Sequence, residues 1–244
     1  MVLSRRQKLT VISLLVYWPG AFILAHIPIP QLVYKIGVSD KSLHFLGYLI
    51  LIFLLWFAIS PDKKVNWRKA AVWWVLFVVV WYGVVDEWLQ SYVGRTCDVM
   101  DFLADLAGTL AGLILFSFFT FWPALLVVIG TTIFNLTNFT RANLAELVPV
   151  TNAMFHLFGY GFFAILWLQN IHIFLPIKAP KLKWMITALI LPIGFLLIVK
   201  VFSVIFGKEV VVKEVIVSVA GIAAVVVTTY LIALFRKALP AKNS

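Results

Sequence analysis

Long apolar runs separated by short polar segments dominate the chain. Each run approaches the roughly 20 residues that an α-helix needs to cross a bilayer. The runs lie at residues 9–27, 43–60, 70–86, 102–121, 123–138, 152–175, 184–206 and 214–235. Only Trp122-Pro123 separates the fourth run from the fifth, because proline disfavours helix in the residue before it. Seven crossings with one long tilted helix are therefore an alternative. The pattern predicts an all-α integral membrane protein with about eight transmembrane helices.

Composition supports this class of protein. The 244 residues are 63% hydrophobic and their mean hydropathy is +1.04, which is more apolar surface than a water-soluble globule can bury. Cys97 is the only cysteine, so an intrachain disulfide is excluded. A net charge of +10 would suggest a nucleic-acid partner for a soluble protein. Here the basic residues lie at helix ends, so we predict no nucleic-acid partner.

The charged residues also predict the orientation. Alternate helix ends carry most of the lysines and arginines, with Asp62 as their only acidic residue. All the other aspartates and glutamates lie at or near the opposite ends. Because basic residues concentrate on the cytoplasmic side of a membrane, both termini are predicted to be cytoplasmic and the acid-rich ends to face outward. The predicted location is a cytoplasmic membrane.

The two halves of the chain resemble each other. Residues 40–48 (DKSLHFLGY) and 152–160 (NAMFHLFGY) share a histidine, a glycine and a tyrosine at matching positions. Further along, Ala-Gly pairs also match when the halves are aligned. An even number of crossings gives both halves the same orientation. We therefore predict two parallel four-helix repeats, 1–122 and 123–244.

The second repeat has lost most of the polar residues of the first, so any site is predicted in the first. The aligned residues in the first and second repeats are Asp40 and Asn152, Lys41 and Ala153, Glu87 and Lys200, Gln90 and Ser203, Asp98 and Val211, and Asp105 and Ser218.

Polar residues share helix faces at three predicted helix ends. The fourth helix carries a stripe at intervals of three or four residues, formed by Asp98, Asp101, Asp105, Gly108 and Gly112. Asp40, His44 and Tyr48 recur at every fourth position of the second helix, and Glu87 and Gln90 lie at the end of the third. These three ends predict one outward-facing pocket near the membrane surface.

Carboxylates this close need compensation. Some are protonated, or Lys41, His44 and Arg95 pair with them, or a divalent cation lies among them; the residues leave the cofactor undetermined. Arg95 could also bind an anionic ligand group. The candidate catalytic residues are Asp40, His44, Glu87 and Asp101. The candidate substrate-binding residues are Lys41, Gln90, Arg95, Asp98 and Asp105.

These residues resemble the VanZ-like family of small bacterial membrane proteins. The family pattern Asp-Lys-x-x-His-Phe matches residues 40–45, and its Glu-x-x-Gln pair matches 87–90. Its Gly-Arg-x-x-Asp-x-x-Asp segment and later Gly-x-x-x-Gly match 94–101 and 108–112. The chain departs from the family at Asp105, where asparagine is frequent. The resemblance covers residues 1 to about 121 and implies a link to glycopeptide resistance, chiefly to teicoplanin.

Three functions fit such a pocket. An enzyme could act on a lipid or lipid-linked head group of the cell envelope, with a carboxylate or His44 as general base. A non-catalytic protein could bind an amphiphilic envelope ligand, and a transporter could use the intramembrane carboxylates. Few polar residues lie in the predicted cytoplasmic half of the first repeat, which disfavours transport. The ionisable residues favour the enzyme, and the predicted partner is a membrane lipid or lipid-linked substrate.

Overall fold

The computed structural model describes residues 3–26, 39–93, 97–139, 149–175 and 179–238. The regular elements of these residues are helices. They are α1 (Arg5–His26), α2 (Asp40–Ile59), α3 (Ala70–Gln90), a short 3-10 turn (Ser91–Val93), α4 (Val99–Phe118), α5 (Phe121–Asn138), α6 (Pro149–Phe174), α7 (Leu182–Ile205) and α8 (Val212–Ala238).

The described residues contain eight helices that are long and apolar enough to cross a membrane. The predicted all-α, multi-pass membrane fold is therefore confirmed. Each observed helix overlaps one of the predicted apolar runs. Many large apolar side chains are exposed along these helices, for example Leu24, Trp74 and Phe235. Such exposure is expected where lipid rather than water covers a surface.

The fourth and fifth runs form two separate helices. Phe119 and Thr120 have extended backbone conformations and interrupt the helical hydrogen bonding. Pro123 lies in the first turn of α5, where its missing N–H leaves no intrahelical bond unmade. The break thus precedes the predicted position by a few residues, and the alternative with a single long helix is wrong.

Residue contacts divide the chain into two compact units. The first unit comprises residues 1–135 and 139–142, and the second comprises 136–138 and 143–244. This division falls later than the predicted repeat boundary after residue 122. The physical reason is that most of α5 packs on the first unit, because Phe121, Ala124 and Val128 belong to its core.

Aromatic packing forms the centre of the first unit's core. Phe53, Phe57, Phe116 and Phe121 surround one another with ring centroids 5.0–5.8 Å apart. Such ring contacts add to the dispersion energy of a close-packed interior. They join α2, α4 and α5 at the end of the bundle opposite the start of α2.

Helices α2 and α4 approach so closely that α4 needs glycine at the contact. A Cβ atom on Gly108 would overlap the backbone carbonyl oxygen of Phe45, and one on Gly112 would overlap the Ile52 side chain. Small residues at helix contacts permit this backbone approach in membrane proteins. The contact fixes which residues of α2 and α4 face each other.

The second unit repeats this contact with the aligned residues. A Cβ atom on Gly221 of α8 would overlap the carbonyl oxygen of Leu157 in α6. Gly221 aligns with Gly108, and Leu157 aligns with Phe45. The same glycine contact therefore joins α2 to α4 in the first unit and α6 to α8 in the second.

This contact predicts large effects of small substitutions. We expect Gly108→Ala and Gly221→Ala each to lower the free energy of unfolding by about 1–3 kcal/mol, because the added methyl group meets backbone rather than a movable side chain. Gly194→Ala is the control, since nothing lies within 4 Å of a Cβ atom there. Thermal unfolding in detergent measures all three. Equal melting temperatures for Gly108→Ala and Gly194→Ala would contradict the described contact.

Candidate functional site

The buried polar centre of the first unit lies where α2 and α4 begin and α3 ends. His44 Nδ1 is 2.9 Å from Asp105 Oδ1 and forms a buried hydrogen bond with it. Glu87 Oε1 lies 3.8 Å from the same nitrogen. On the other side of the ring, Asp40 Oδ1 lies 3.9 Å from His44 Nε2. One histidine thus lies among carboxylates from three helices.

Helical spacing and the glycine contact produce this arrangement. Asp40, His44 and Tyr48 share one face of α2 because they are four residues apart. Asp105 precedes Gly108 by three residues on α4, and His44 is next to Phe45, which Gly108 contacts. The close helix approach therefore brings His44 and Asp105 within hydrogen-bonding distance.

A second set of contacts ties the start of α4 to its neighbours. Lys41 Nζ donates to Asp98 Oδ2 at 2.9 Å and to Asp101 Oδ1 at 3.2 Å. Asp98 caps α4 by accepting from the Met100 N–H at 2.8 Å, and its own N–H donates to Glu87 Oε2 at 3.2 Å. The hydrogen bonds from Met100 and then Lys41 lower the pKa of the Asp98 carboxyl.

The end of α3 contributes a buried pair. Gln90 Nε2 donates to Asp86 Oδ2 at 3.0 Å, and both side chains are almost fully buried. Asp86 also lies 3.9 Å from His26 of α1. Asp86 is not among the candidate site residues predicted from the sequence. Its spacing of four residues from Gln90 was the available signal, because that spacing puts the two on one helix face.

Eight of the nine candidate site residues are described, and they lie at this end of the first unit. Arg95 lies outside the described residues. The described ones differ in exposure: Glu87, Gln90, Asp101, Asp105 and His44 are buried, whereas Lys41 is exposed and Asp98 and Asp40 are partly exposed. Their catalytic and substrate-binding roles stay predictions.

An amphipathic cavity of about 430 Å³ adjoins His44 between α1, α2 and α3. Most of its wall is apolar. Asp40, His44, Tyr48 and Asp86 provide polar groups along the wall. Its remaining lining residues include Tyr17, Trp18, Ala21, Leu24, Leu51 and Tyr82. The contribution of α1 is not predicted from the sequence. Its residues are uniformly apolar, and apolar residues are expected both where a helix faces lipid and where it lines a cavity.

The second unit holds a different polar cluster at the matching place. Lys200 Nζ donates to Glu214 Oε2 at 2.6 Å, and Asn152 Nδ2 donates to Glu214 Oε1 at 2.7 Å. His156 Nδ1 lies 3.1 Å from Ser218 Oγ, and its Nε2 lies 3.5 Å from Glu214 Oε2. The partly buried Glu214 therefore has a lysine, an amide and a histidine as partners within its own unit.

The fold and this centre define a multi-pass helical membrane protein with a buried histidine–carboxylate site. Residues 6–120, which carry the site, match the family model VanZ/LLP1. The VanZ-like resemblance of this segment and its predicted extent to about residue 121 are therefore confirmed. No curated protein and no solved structure matches the chain in the corresponding comparisons.

The lysine–glutamate pair of the second unit predicts strong coupling between its members. Lys200→Met should lower the free energy of unfolding by up to about 3 kcal/mol, because it leaves the partly buried Glu214 carboxylate without its cation. Adding Glu214→Gln should recover most of this loss, since no uncompensated charge remains. Lys213→Met is the control, because Lys213 is exposed. Thermal unfolding of wild type, Lys200→Met, the double variant and Lys213→Met measures the coupling. A double variant that is no more stable than Lys200→Met would contradict it.

Proposed function

We propose that the first unit binds a membrane amphiphile and acts on its polar head group. The observation that carries this proposal is the cavity of about 430 Å³, which has a mainly apolar wall and reaches His44. Ligand sites are commonly apolar clefts of this order of size with a few placed polar groups. A lipid or a lipid-linked head group of the cell envelope fits such a shape.

The proposed arrangement assigns the two parts of the ligand to different walls. The apolar part lies against α1 and α2, beside residues such as Ala21, Leu24 and Leu51. The head group lies near His44 and Asp40. We propose that Asp40, His44, Glu87 and Asp101 carry the chemistry. Lys41, Gln90, Arg95, Asp98 and Asp105 are proposed to position the head group.

The buried carboxylates of the first unit favour a catalytic role over simple binding of an apolar chain. Carboxylates within an apolar span are unfavourable unless a function or a partner compensates them. Asp101 and Asp105 are each at most 5% exposed, and Glu87 is 3% exposed. A protein that only held an apolar chain would not need these three groups beside one histidine. Turnover is therefore the favoured reading, and binding without turnover is its alternative.

Transport receives less support. Away from the polar end, the described core of the first unit is apolar and is filled by rings such as Phe53, Phe57 and Phe116. Among the described residues of this unit, no row of buried acidic or basic side chains continues past Asp105 towards that aromatic core. A transporter would need a polar path from both sides of the membrane.

The cellular role proposed here follows from the family and the charge bias. The acid-rich end faces outward if the lysine- and arginine-rich ends and both termini are cytoplasmic. In that orientation the site meets lipids and lipid-linked precursors of the outer leaflet. Altering or retaining such a molecule would connect the VanZ-like segment to reduced teicoplanin sensitivity in a bacterial cell membrane.

Mass spectrometry of lipids tests turnover directly. Purified wild-type protein incubated with a membrane lipid extract should produce a changed lipid species, and Asp101→Asn and His44→Gln should not. His156→Gln is the matched control, because His156 holds the corresponding place in the second unit. Identical spectra for wild type and Asp101→Asn would exclude the enzyme. A remaining difference in labelled-lipid binding would then favour the binding protein.

Filling the cavity tests where the ligand binds. Ala21 lines the cavity, so Ala21→Trp should weaken binding of a labelled lipid about tenfold or more by steric exclusion. Ala71→Trp is the control, since Ala71 is exposed on α3 and does not line this cavity. Equal binding by the two variants would show that the ligand lies elsewhere.

A further inference from the structure

Asp86 Oδ1, near the end of α3, is one of three buried carboxylate oxygens without a hydrogen-bond partner among the described residues of the first unit. The other two lie beside His44. These atoms are Glu87 Oε1 and Asp105 Oδ2, and their residues are 3% and 1% exposed. Buried polar atoms are nearly always hydrogen-bonded, and buried charges pair with counter-charges or coordinate metal ions. The other oxygens of the same groups contact the Asp98 N–H and the His44 ring.

The three side chains have the spacing of a metal site. One ligand atom from each of His44, Glu87 and Asp105 lies within 4.8 Å of the others. His44 Nδ1 is 2.9 Å from Asp105 Oδ1 and 3.8 Å from Glu87 Oε1. Ligand atoms are about 3.3 Å apart when a tetrahedral zinc ion lies roughly 2.0–2.1 Å from each. The observed distances lie on either side of this value, so small side-chain shifts would accommodate an ion.

In the second unit, a lysine of the chain itself neutralises the acidic group at the matching place. Lys200 aligns with Glu87, and its ammonium lies 2.6 Å from Glu214 Oε2. Ser218 aligns with Asp105 and accepts or donates a hydrogen bond at His156 Nδ1, at 3.1 Å. The second unit thus has a buried cation of its own, and its histidine has one carboxylate within 4 Å where His44 has three.

The first unit has no equivalent lysine within its described part. The lysine beside this site is Lys41, whose side chain is 48% exposed. Its ammonium binds Asp98 and Asp101. The hydrogen bonds of Lys41 therefore do not reach the two unpartnered oxygens of Glu87 and Asp105. Among the described residues, only the second unit thus pairs its acidic group with a buried lysine.

We propose that His44 Nδ1, Glu87 and Asp105 bind one divalent transition-metal ion, with Zn²⁺ as the ion that this donor set fits. One imidazole nitrogen and two carboxylate oxygens are ordinary zinc ligands. Three protein ligands leave a fourth position for water or for an oxygen of a ligand. The inference rests on the geometry and goes beyond the proposed function, because an ion could bind here whether or not a head group is altered.

Asp40, His44 and Asp101 form an overlapping set, also with ligand atoms within 4.8 Å. It fits a metal less well. The Asp40 side chain is 44% exposed, and Asp101 already accepts from Lys41. Asp40→Asn therefore discriminates between the two sets, since we expect it to retain the metal.

Zinc titration of chelator-stripped, tag-free full-length protein tests the site. Calorimetry should show one equivalent bound by wild type, Asp40→Asn and His156→Gln. Glu87→Gln and Asp105→Asn should bind at least about 100-fold more weakly, because each loses a ligand rather than an outer contact. Wild-type affinity in Glu87→Gln, or no zinc binding by wild type, would overturn the proposal.

Two further measurements keep the test valid if those variants fold poorly. Glu87→Lys copies the charge of Lys200 and should fold while binding no zinc; retained binding would overturn the assignment. X-ray absorption of zinc-loaded wild type should show an imidazole ligand that His156→Gln retains. A zinc shell without imidazole would equally contradict the site.

Discussion

The close contact of α2 with α4 is the constraint on which the first unit depends. Glycine at residue 108 lets one helix backbone touch the other at Phe45. That contact fixes the rotation and the register of both helices. Because His44 precedes Phe45 and Asp105 lies one turn before Gly108, the same contact sets their hydrogen bond. Packing of small residues thus determines where the ionisable groups meet.

Much of this arrangement was readable in the sequence, because helical periodicity assigns residues to faces. Asp101, Asp105, Gly108 and Gly112 of the predicted stripe are buried on α4, as is His44 on α2, whereas Asp98 and Asp40 are partly exposed. Periodicity does not say which faces pair. The contact of Lys41 with two aspartates and the burial of Asp86 depend on helix rotations that the neighbouring helices set.

The cavity is the feature that sequence reasoning could not supply. A helix such as α1 shows no strong difference between its faces, since both lipid and a cavity wall favour apolar side chains. Tyr17 illustrates the difficulty: its hydroxyl donates to the Gly47 carbonyl oxygen at 2.9 Å and so holds α1 against α2. Tyr17 lies in the middle of α1, where the sequence alone does not distinguish a lipid-facing side chain from one that joins two helices. Only the assembled helices distinguish the two environments.

The glycine contact occurs in both units, so the helix packing of a unit does not depend on which charged groups lie beside that contact. Since both units retain the backbone contact and differ in the charged groups beside it, a few exchanged side chains suffice to change what a unit holds. The acidic centre of a unit is therefore not needed for its helix packing. The second unit is consequently a suitable framework for building the histidine–carboxylate site of the first. Lys200→Glu with Ser218→Asp would place the two carboxylates beside His156 on helices that already have the required spacing.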